Sequence, residues 1–293
     1  MTGPVVDTDR AGAELEAGLD ALETEVREPR PSLPRRAARS VVPAASGIAA
    51  VVLVWQVVVS LLAPDNVPSP AEVWEAARFE WRSGRLPEAV VTSLQRGVLG
   101  FVVALVIATP LGLVLARLPL LRRAFGPVVT GLQSLPSVAW VPLGILWFGL
   151  SEATFYFVIL MGAVPSIVNG TLNGLDQVPP LLIRVGHVLG AQGTTLARHV
   201  LLPAALPGYL GGLRQGWAFS WRSLMAAELI VRSGAFGLGL GGVLEDARQL
   251  FDVPGVVVGI LTILLVGLAV ELLFFAPLEQ RVLRKRGLLV DKR

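Results

Sequence analysis

Long, continuous apolar stretches constrain the fold of this chain more than any other feature of its sequence. A membrane-spanning helix needs about 20 mostly apolar residues, and six segments meet that need. Lipid admits only helices and closed barrels, and the runs are continuous rather than alternating, which argues against a barrel. The six segments cover residues 41–63, 89–116, 124–149, 153–172, 205–230 and 255–278.

The composition excludes several other classes of protein. Of the 293 residues, 53% are hydrophobic and only 16% are charged, whereas soluble domains carry roughly 25% charged residues. A net charge of +3 is too small for a nucleic-acid binder. The absence of cysteine and the presence of only two histidines exclude disulfides and argue against a metal site. The sequence therefore predicts an all-α integral membrane protein with six transmembrane helices.

The third span is the least regular because three prolines interrupt it, at 127, 136 and 142. Proline breaks a soluble helix, but neighbouring helices in a membrane bundle can satisfy the freed backbone groups. The span is therefore either a kinked helix packed on protein or a helix that lines a pathway. Polar residues nearby either form interhelical hydrogen bonds or line that pathway. The candidates for a translocation path are Gln133, Ser134, Pro136, Asn169, Asn173 and Arg222.

The distribution of lysine and arginine predicts the orientation of the chain. With the N-terminus inside, seventeen of these residues fall in inside segments and five in outside segments, so both termini are predicted to be cytoplasmic. Residues 1–40 sustain no apolar period, and we expect a mobile cytoplasmic tail there rather than a signal peptide. We expect residues 41–285 to form a six-helix transmembrane domain and residues 286–293 to form a cytoplasmic C-terminal tail.

Two outside segments are longer than simple turns. Residues 64–88 predict a surface helix over Ala71–Trp81, with Trp74 and Trp81 at the membrane interface. Residues 231–253 are rich in glycine but follow no strand and lack the ending of a phosphate-binding loop. We expect this second segment to be a flexible external connection.

Ionisable residues inside membrane helices are costly unless they are sheltered. Arg222 either pairs with Glu228 or offers its forked guanidinium to an anion on the pathway. Arg96 and Arg214 are expected near an interface or in helix packing. Glu271 is expected to form an internal salt bridge.

The inside loop between the fourth and fifth spans, residues 176–204, carries the functional signal. Pro179-Pro180 favours a helix start, Gly190 favours a left-handed helix end, and Thr194 or Thr195 favours a cap for a second short helix. This predicts a cytoplasmic helix–turn–helix whose apolar side chains exceed what a solvated loop needs. A partner groove would bury them: Leu182, Val185, Val188, Leu189 and Leu196.

The same loop resembles the "EAA" loop of permease subunits of binding-protein-dependent ABC importers. Gly190, nine residues, Val200, one residue and Leu202-Pro203 are similar to its G-x9-I-x-L-P half. The Glu-Ala-Ala positions hold Arg184, Val185 and Gly186 here, so the chain departs from the pattern at its start. The resemblance assigns the ATPase-coupling role to Arg184, Val185, Gly186, Gly190, Thr194, Leu196, Val200, Leu202 and Pro203.

Further segments resemble the nitrate, sulfonate, taurine and bicarbonate branch of these permeases. Within that branch their sequences are most similar to those of aliphatic sulfonate permeases. They are Val67–Pro70, Ser134–Leu143, Ile145–Gly149 and Trp221–Glu228. The resemblance implies a type I importer permease in the bacterial plasma membrane. It would form a homodimer in membrane lipid, with two cytoplasmic ATPase subunits and an external solute-binding protein. The chain has no Walker-type loop, so ATP and Mg²⁺ would bind the ATPase, and this chain would bind no cofactor and no nucleic acid.

Several functions stay open at this level. Within the importer class, nitrate, bicarbonate or a vitamin precursor are alternatives to aliphatic sulfonate or taurine. Outside it, a secondary transporter would usually show intramembrane acidic relays or internal repeats. A channel would not need a cytoplasmic docking loop. An enzyme is disfavoured because both histidines lie in one loop.

Overall fold

A computed structural model describes residues 33–62, 67–231 and 237–286. All regular elements in these residues are helical, which confirms the all-α fold. The helices are α1 (Leu33–Leu62), α2 (Pro70–Arg82), α3 (Arg85–Arg117), α4 (Pro119–Ser134), α5 (Val141–Phe148), α6 (Glu152–Asp176), α7 (Pro180–Val188), α8 (Gly193–Leu196), α9 (Leu202–Ile230), α10 (Leu240–Gln249), α11 (Val253–Val270) and α12 (Ala276–Lys285). A 3₁₀ turn covers Ser137–Trp140, and π-helical turns cover Ala197–Leu201 and Glu271–Phe275.

The chain divides into two units, the first ending with α1 at Leu62 and the second containing all later helices. α1 begins at Leu33, inside the segment predicted as a tail. The rest of that tail prediction, residues 1–32, and most of the C-terminal one, residues 287–293, lie outside the described residues.

Within the described chain, three helical runs are long and apolar enough to cross a membrane: Arg85–Arg117, Glu152–Asp176 and Val253–Lys285. They match the second, fourth and sixth predicted spans. The first predicted span contains a shorter apolar helix, Ala45–Leu61. The fifth is present as the 29-residue α9, but this helix does not meet the same apolar criterion. It carries three charged residues, Arg214, Arg222 and Glu228.

The third predicted span is not one kinked helix. α4 and the run Ser137–Phe148 meet at an angle of 103°. The chain turns at Leu135 and Pro136, both in extended backbone conformations, because proline lacks an N–H and restricts the residue before it. The pair is a broken span or a re-entrant loop, and it supplies the fourth candidate crossing.

A seam of small residues joins α6 to α9 and forms the centre of the second unit. Glycines recur every fourth residue on the facing sides of the two helices, so the backbones approach closely. A Cβ at Gly208 would lie 2.6 Å from Gly174 Cα, and one at Gly216 would lie 2.6 Å from Ile167 Cγ1. Gly170 and Gly212 meet in the same way between these two points. The seam fixes the position of the loop that connects these helices.

Each π-helical turn lies just before a proline near the start of the next helix, Pro203 in α9 and Pro277 in α12. A proline inside a helix removes one hydrogen bond and its ring clashes with the carbonyl four residues earlier. The wider π turn accommodates this clash without ending the helix. The helical path therefore runs without a break from Gly193 to Ile230.

Candidate functional site

The loop between α6 and α9 folds into the predicted helix–turn–helix. Pro180 lies in the first turn of α7. At the other end Gly190 adopts a φ of 83°, a left-handed conformation that favours glycine. The Gly190 N–H donates to the His187 carbonyl at 3.0 Å, and the Ala191 N–H donates to the Gly186 carbonyl at 2.9 Å. These two bonds form a Schellman motif, so Gly190 ends α7 as the sequence predicts.

Gly186 is the contact point between the two short helices. It is buried, and a Cβ there would lie 2.8 Å from Leu196 Cδ1 and 3.2 Å from Val200 Cγ2. Leu196 therefore packs inside the helix pair, whereas the sequence placed it among the residues that a partner would bury. The remaining apolar residues of α7 form an exposed face. Val188 is 87% exposed and Leu189 is 80% exposed.

The start of the second helix differs from the prediction. Gln192 is the N-cap residue of α8, and its side chain makes no capping hydrogen bond. Thr194 lies inside the helix and is exposed, so it does not cap. Gly193, with a φ of 52°, makes the turn that brings the chain into α8.

The helix pair is joined to the membrane helices at both of its ends. Arg122 of α4 donates from Nη1 to Asp176 Oδ1 at 2.9 Å, and its Nη2 contacts Asp176 Oδ2, just before the pair begins. At the other end Arg286 donates to the carbonyl of Pro203. Leu202 and Pro203 lie within the continuous helical path from Gly193 to Ile230. A displacement of α7 and α8 would therefore move α9 directly.

The exposed residues of α7 include Arg184 and Val185, which occupy the Glu-Ala positions of the resembled loop. Both face away from the helix pair, so the replacement of glutamate by arginine causes no clash within the chain. It changes the sign of the charge on the exposed face.

The candidate path residues fall into two groups. Asn169 Nδ2 donates to Gln133 Oε1 at 2.6 Å, which joins α6 to α4. Ser134 donates to the carbonyl of Gly131 in its own helix at 2.7 Å, just before the bend at Pro136. The bond between Asn169 and Gln133 is interhelical, the first of the two interpretations offered by the sequence, whereas the Ser134 bond stays within α4.

Asn173 and Arg222 form the second group. Both are exposed in the single chain, as are Ser134 and Pro136. Arg222 Nε donates to the Ala218 carbonyl at 3.1 Å, and the guanidinium lies 4.5 Å from the centre of the Phe219 ring. Both contacts are within α9. The predicted pairing of Arg222 with Glu228 is wrong, because Glu228 is buried against another arginine.

That arginine is Arg96, the centre of a buried ionic cluster. Arg96 and Glu228 are each 1% exposed. Arg96 Nη1 donates to Glu228 Oε1 at 3.0 Å, and Nη2 donates to Glu152 Oε1 at 2.6 Å. The guanidinium also lies 4.3 Å from the centre of the Phe155 ring. The cluster therefore ties α3, α6 and α9 together.

The glycine-rich segment after α9 wraps around this cluster. The Gly241 N–H donates to Glu228 Oε2 at 3.1 Å, and the Gly237 carbonyl accepts from Arg96 Nη2 at 2.9 Å. A Cβ at Gly241 would lie 2.6 Å from Glu228 Cβ, and one at Gly239 would overlap the Glu228 carboxylate. Only glycine fits so close to the carboxylate.

The predicted flexible external connection is therefore wrong for the described part of this segment. Residues 237–251 hold α10, whose first residues are buried, and residues 232–236 lie outside the described residues. The sequence contained a signal for the cluster. Arg96, Glu152 and Glu228 all lie towards the predicted outer side of the membrane, although Glu228 is near the C-terminal end of its span and the other two are near the N-terminal ends of theirs. Intramembrane charges gathered at one level favour mutual pairing.

Glu271 also forms an ion pair, as the sequence predicts. Its partner is Arg214 Nε, and Arg214 Nη1 lies 3.1 Å from Glu279 Oε2. This pairing joins α9 to the helical run that contains α12.

Comparison with known proteins decides the family. The profile of the binding-protein-dependent transport system inner membrane component matches residues 108–284, more than half of the chain. The chain belongs to this family of ABC importer permeases. The match includes the whole helix pair and the α6–α9 seam.

Individual relatives agree with this family. The chain is 29% identical to the taurine transport system permease protein of Escherichia coli, over 77% of this chain and 83% of the relative. It is 35% identical to the riboflavin transport system permease protein of Chloroflexus aurantiacus, over 74% and 79% of the two chains. Permeases named for nitrate import and for aliphatic sulfonates transport match at 30% and 29% identity.

A solved structure supports the fold. The model is similar to a chain of the inward-facing MetNI methionine ABC transporter, with a TM-score of 0.54 and 20% identity. The match covers 67% of this chain and 95% of that chain. The permease thus has the type I importer fold. It is a membrane-embedded transport subunit rather than an enzyme, and its class implies a separate ATPase and a solute-binding protein as partners.

Proposed function

We propose that two copies of this permease form the translocation path of an ATP-driven importer for a small organic or inorganic anion. Aliphatic sulfonate or taurine is the favoured substrate, and an external solute-binding protein delivers it. Two cytoplasmic ATPase subunits hold ATP and Mg²⁺. The permease lies in the bacterial plasma membrane with both termini in the cytoplasm, the orientation that the lysine and arginine distribution favours.

The exposed apolar face of α7 carries the coupling part of this proposal. Val188 and Leu189 are almost fully exposed, although they belong to a short helix held firmly by Gly186 and Gly190. An exposed apolar helix face of this kind can bind in a hydrophobic groove on a partner protein, which removes it from water. In this proposal the ATPase supplies the groove, and its closure on ATP moves α7, α8 and then α9.

The exposed polar residues support a second copy of the chain. Arg222 and Asn173 lie on helices of the membrane domain, yet both are exposed in the single chain. A charge facing lipid costs several kcal/mol on insertion scales. A second copy would place these faces on a shared water-filled path. Arg222 would then offer a forked cation to a sulfonate.

ATPase activity of the complex in lipid tests the substrate. The purified permease and ATPase would be mixed with the cognate binding protein, loaded in turn with sulfonate, taurine, nitrate, bicarbonate or riboflavin. We expect the sulfonate or taurine form to stimulate, and Arg222→Gln to reduce that stimulation. The matched control is Arg123→Gln, another exposed arginine on a different helix, which should leave stimulation unchanged.

The alternative within the class is a vitamin-like substrate, and the riboflavin permease relative favours it at 35% identity. Stimulation by riboflavin but not by any anion would retain the importer and refute the anion. Equal losses in Arg222→Gln and Arg123→Gln would refute the role of Arg222.

A further inference from the structure

A groove of 640 Å³ lies between α2 and α11. Its floor is formed by Leu86 and Val90 at the start of α3, and one wall is formed by Leu265 and Ala269 of α11. α11 belongs to a candidate membrane span, and Leu265 and Ala269 are exposed on it, so we expect this wall to face the hydrocarbon of the bilayer. The groove is separate from the candidate path residues and from the helix pair.

Two tryptophans of α2 form the opposite wall. Trp74 and Trp81 are spaced by seven residues, which puts them on one face of the helix. They are 65% and 63% exposed even though they line the groove. Tryptophan is enriched where hydrocarbon meets the polar headgroups. The groove is thus apolar inside and lies beside a helix suited to the headgroup level.

Two arginines supply positive charge at the edge of the groove. Arg78 and Arg82 line it and also line a neighbouring pocket that contains Glu75. They are one helical turn apart, and neither forms an ion pair with another residue of the described chain. Arg85, in contrast, pairs with Asp246 at 2.7 Å. No acidic side chain among the described residues lines the apolar groove itself.

We propose that this groove binds one anionic phospholipid. An acyl chain lies between the two tryptophans and Leu265, and the phosphate bridges Arg78 and Arg82. Charge complementarity selects this occupant, because arginine pairs recognise phosphate through several charge-assisted hydrogen bonds. A free phosphate would leave the apolar walls uncovered, and a purely apolar occupant would leave both guanidinium groups without a partner.

Native mass spectrometry of the purified full chain tests the proposal. Dioleoyl phosphatidylglycerol and dioleoyl phosphatidylcholine, which share acyl chains, would compete for the chain in neutral detergent. Both arginines near the headgroups favour an anionic lipid, so we expect about a thirtyfold preference for phosphatidylglycerol, which corresponds to about 2 kcal/mol. Arg78→Gln/Arg82→Gln should abolish the preference while phosphatidylcholine binding stays.

The control is Arg117→Gln/Arg123→Gln, which removes the same charge outside the groove and should keep the preference. Ala269→Trp, which fills the groove, should lose both lipids. Glycerol phosphate without acyl chains should not displace phosphatidylglycerol. Equal retention of the two lipids by the unmodified chain would overturn the proposal, as would equal losses in the two double variants. Retention of neither lipid by the unmodified chain would also overturn it.

Discussion

Gly208→Ala provides a sharp test of the α6–α9 seam. The added Cβ would lie 2.6 Å from Gly174 Cα, whereas ordinary carbon contacts are about 3.5–4.0 Å. The obstacle is backbone, which cannot rotate away as a side chain can. The two helices would have to separate by about 1 Å, and the close contacts along the seam would weaken together.

The expected loss follows from two opposing effects. Alanine is favoured over glycine in a helix by about 1 kcal/mol. Overpacking usually costs about 1–3 kcal/mol, and a rigid backbone obstacle puts this site at the upper end. We therefore expect a net loss of about 2 kcal/mol in the free energy of unfolding for Gly208→Ala.

Gly211→Ala is the matched control, because it lies in the same helix and its Cβ would meet nothing within 4 Å. It should be neutral or stabilise by up to about 1 kcal/mol. The difference of about 3 kcal/mol would be measured by SDS titration in mixed micelles, followed by tryptophan fluorescence. Equal midpoints for the two variants would refute the close approach of α6 and α9.

Three further predictions concern the cluster, the helix pair and α2. Arg96→Gln leaves the buried Glu228 carboxylate without the arginine that pairs with it and should cost about 3–5 kcal/mol. Glu228→Gln leaves Arg96 paired with Glu152 and should cost less, and the reverse order in SDS titration would contradict the cluster. Gly186→Val should separate α7 from α8 and reduce ATPase stimulation. Gly186→Ala meets the movable end of the Leu196 side chain and, less closely, a methyl group of Val200, so it should retain most of the stimulation. Equal stimulation in both variants would argue against the packed pair. Hydrogen bonds from the Ser69 backbone and side chain lower the pKa of Glu72, so this cap stabilises α2 above the ordinary carboxyl pKa and is lost as pH falls through the lowered value. Ser69→Ala should raise that pKa towards its ordinary value in a carboxyl ¹³C NMR titration, and an unchanged pKa would exclude the side-chain bond.

The sequence predicts the elements that depend on local patterns. Pro180 and Gly190 determine the start and end of α7 through their own backbone preferences, so both ends of the helix could be predicted. The apolar spans follow from composition alone. The capping box at Ser69 and Glu72, where the two residues exchange hydrogen bonds, also depends on local spacing, although it was not among the predictions.

Features that depend on distant contacts could not be predicted in the same way. The glycines at 239 and 241 predict a flexible segment when only the local sequence is considered. Their close contact with Glu228 depends on the packing of distant parts of the chain. The sequence does not distinguish Leu196 from the exposed apolar residues of the loop. Its packing against Gly186 depends on how α7 and α8 meet. Arg222 and Glu228 are near in sequence, but Arg96 provides the buried partner that Glu228 needs.

The central claim is that the exposed face of α7 docks a separate ATPase, and co-purification of the two subunits tests it most directly. Val188→Arg adds a charge to a side chain that is 87% exposed, so the permease itself should fold and unfold normally. The conservative variant Val188→Ala serves as the control. We predict that ATPase association is lost in Val188→Arg and kept in Val188→Ala. Full association of the ATPase with Val188→Arg would contradict it.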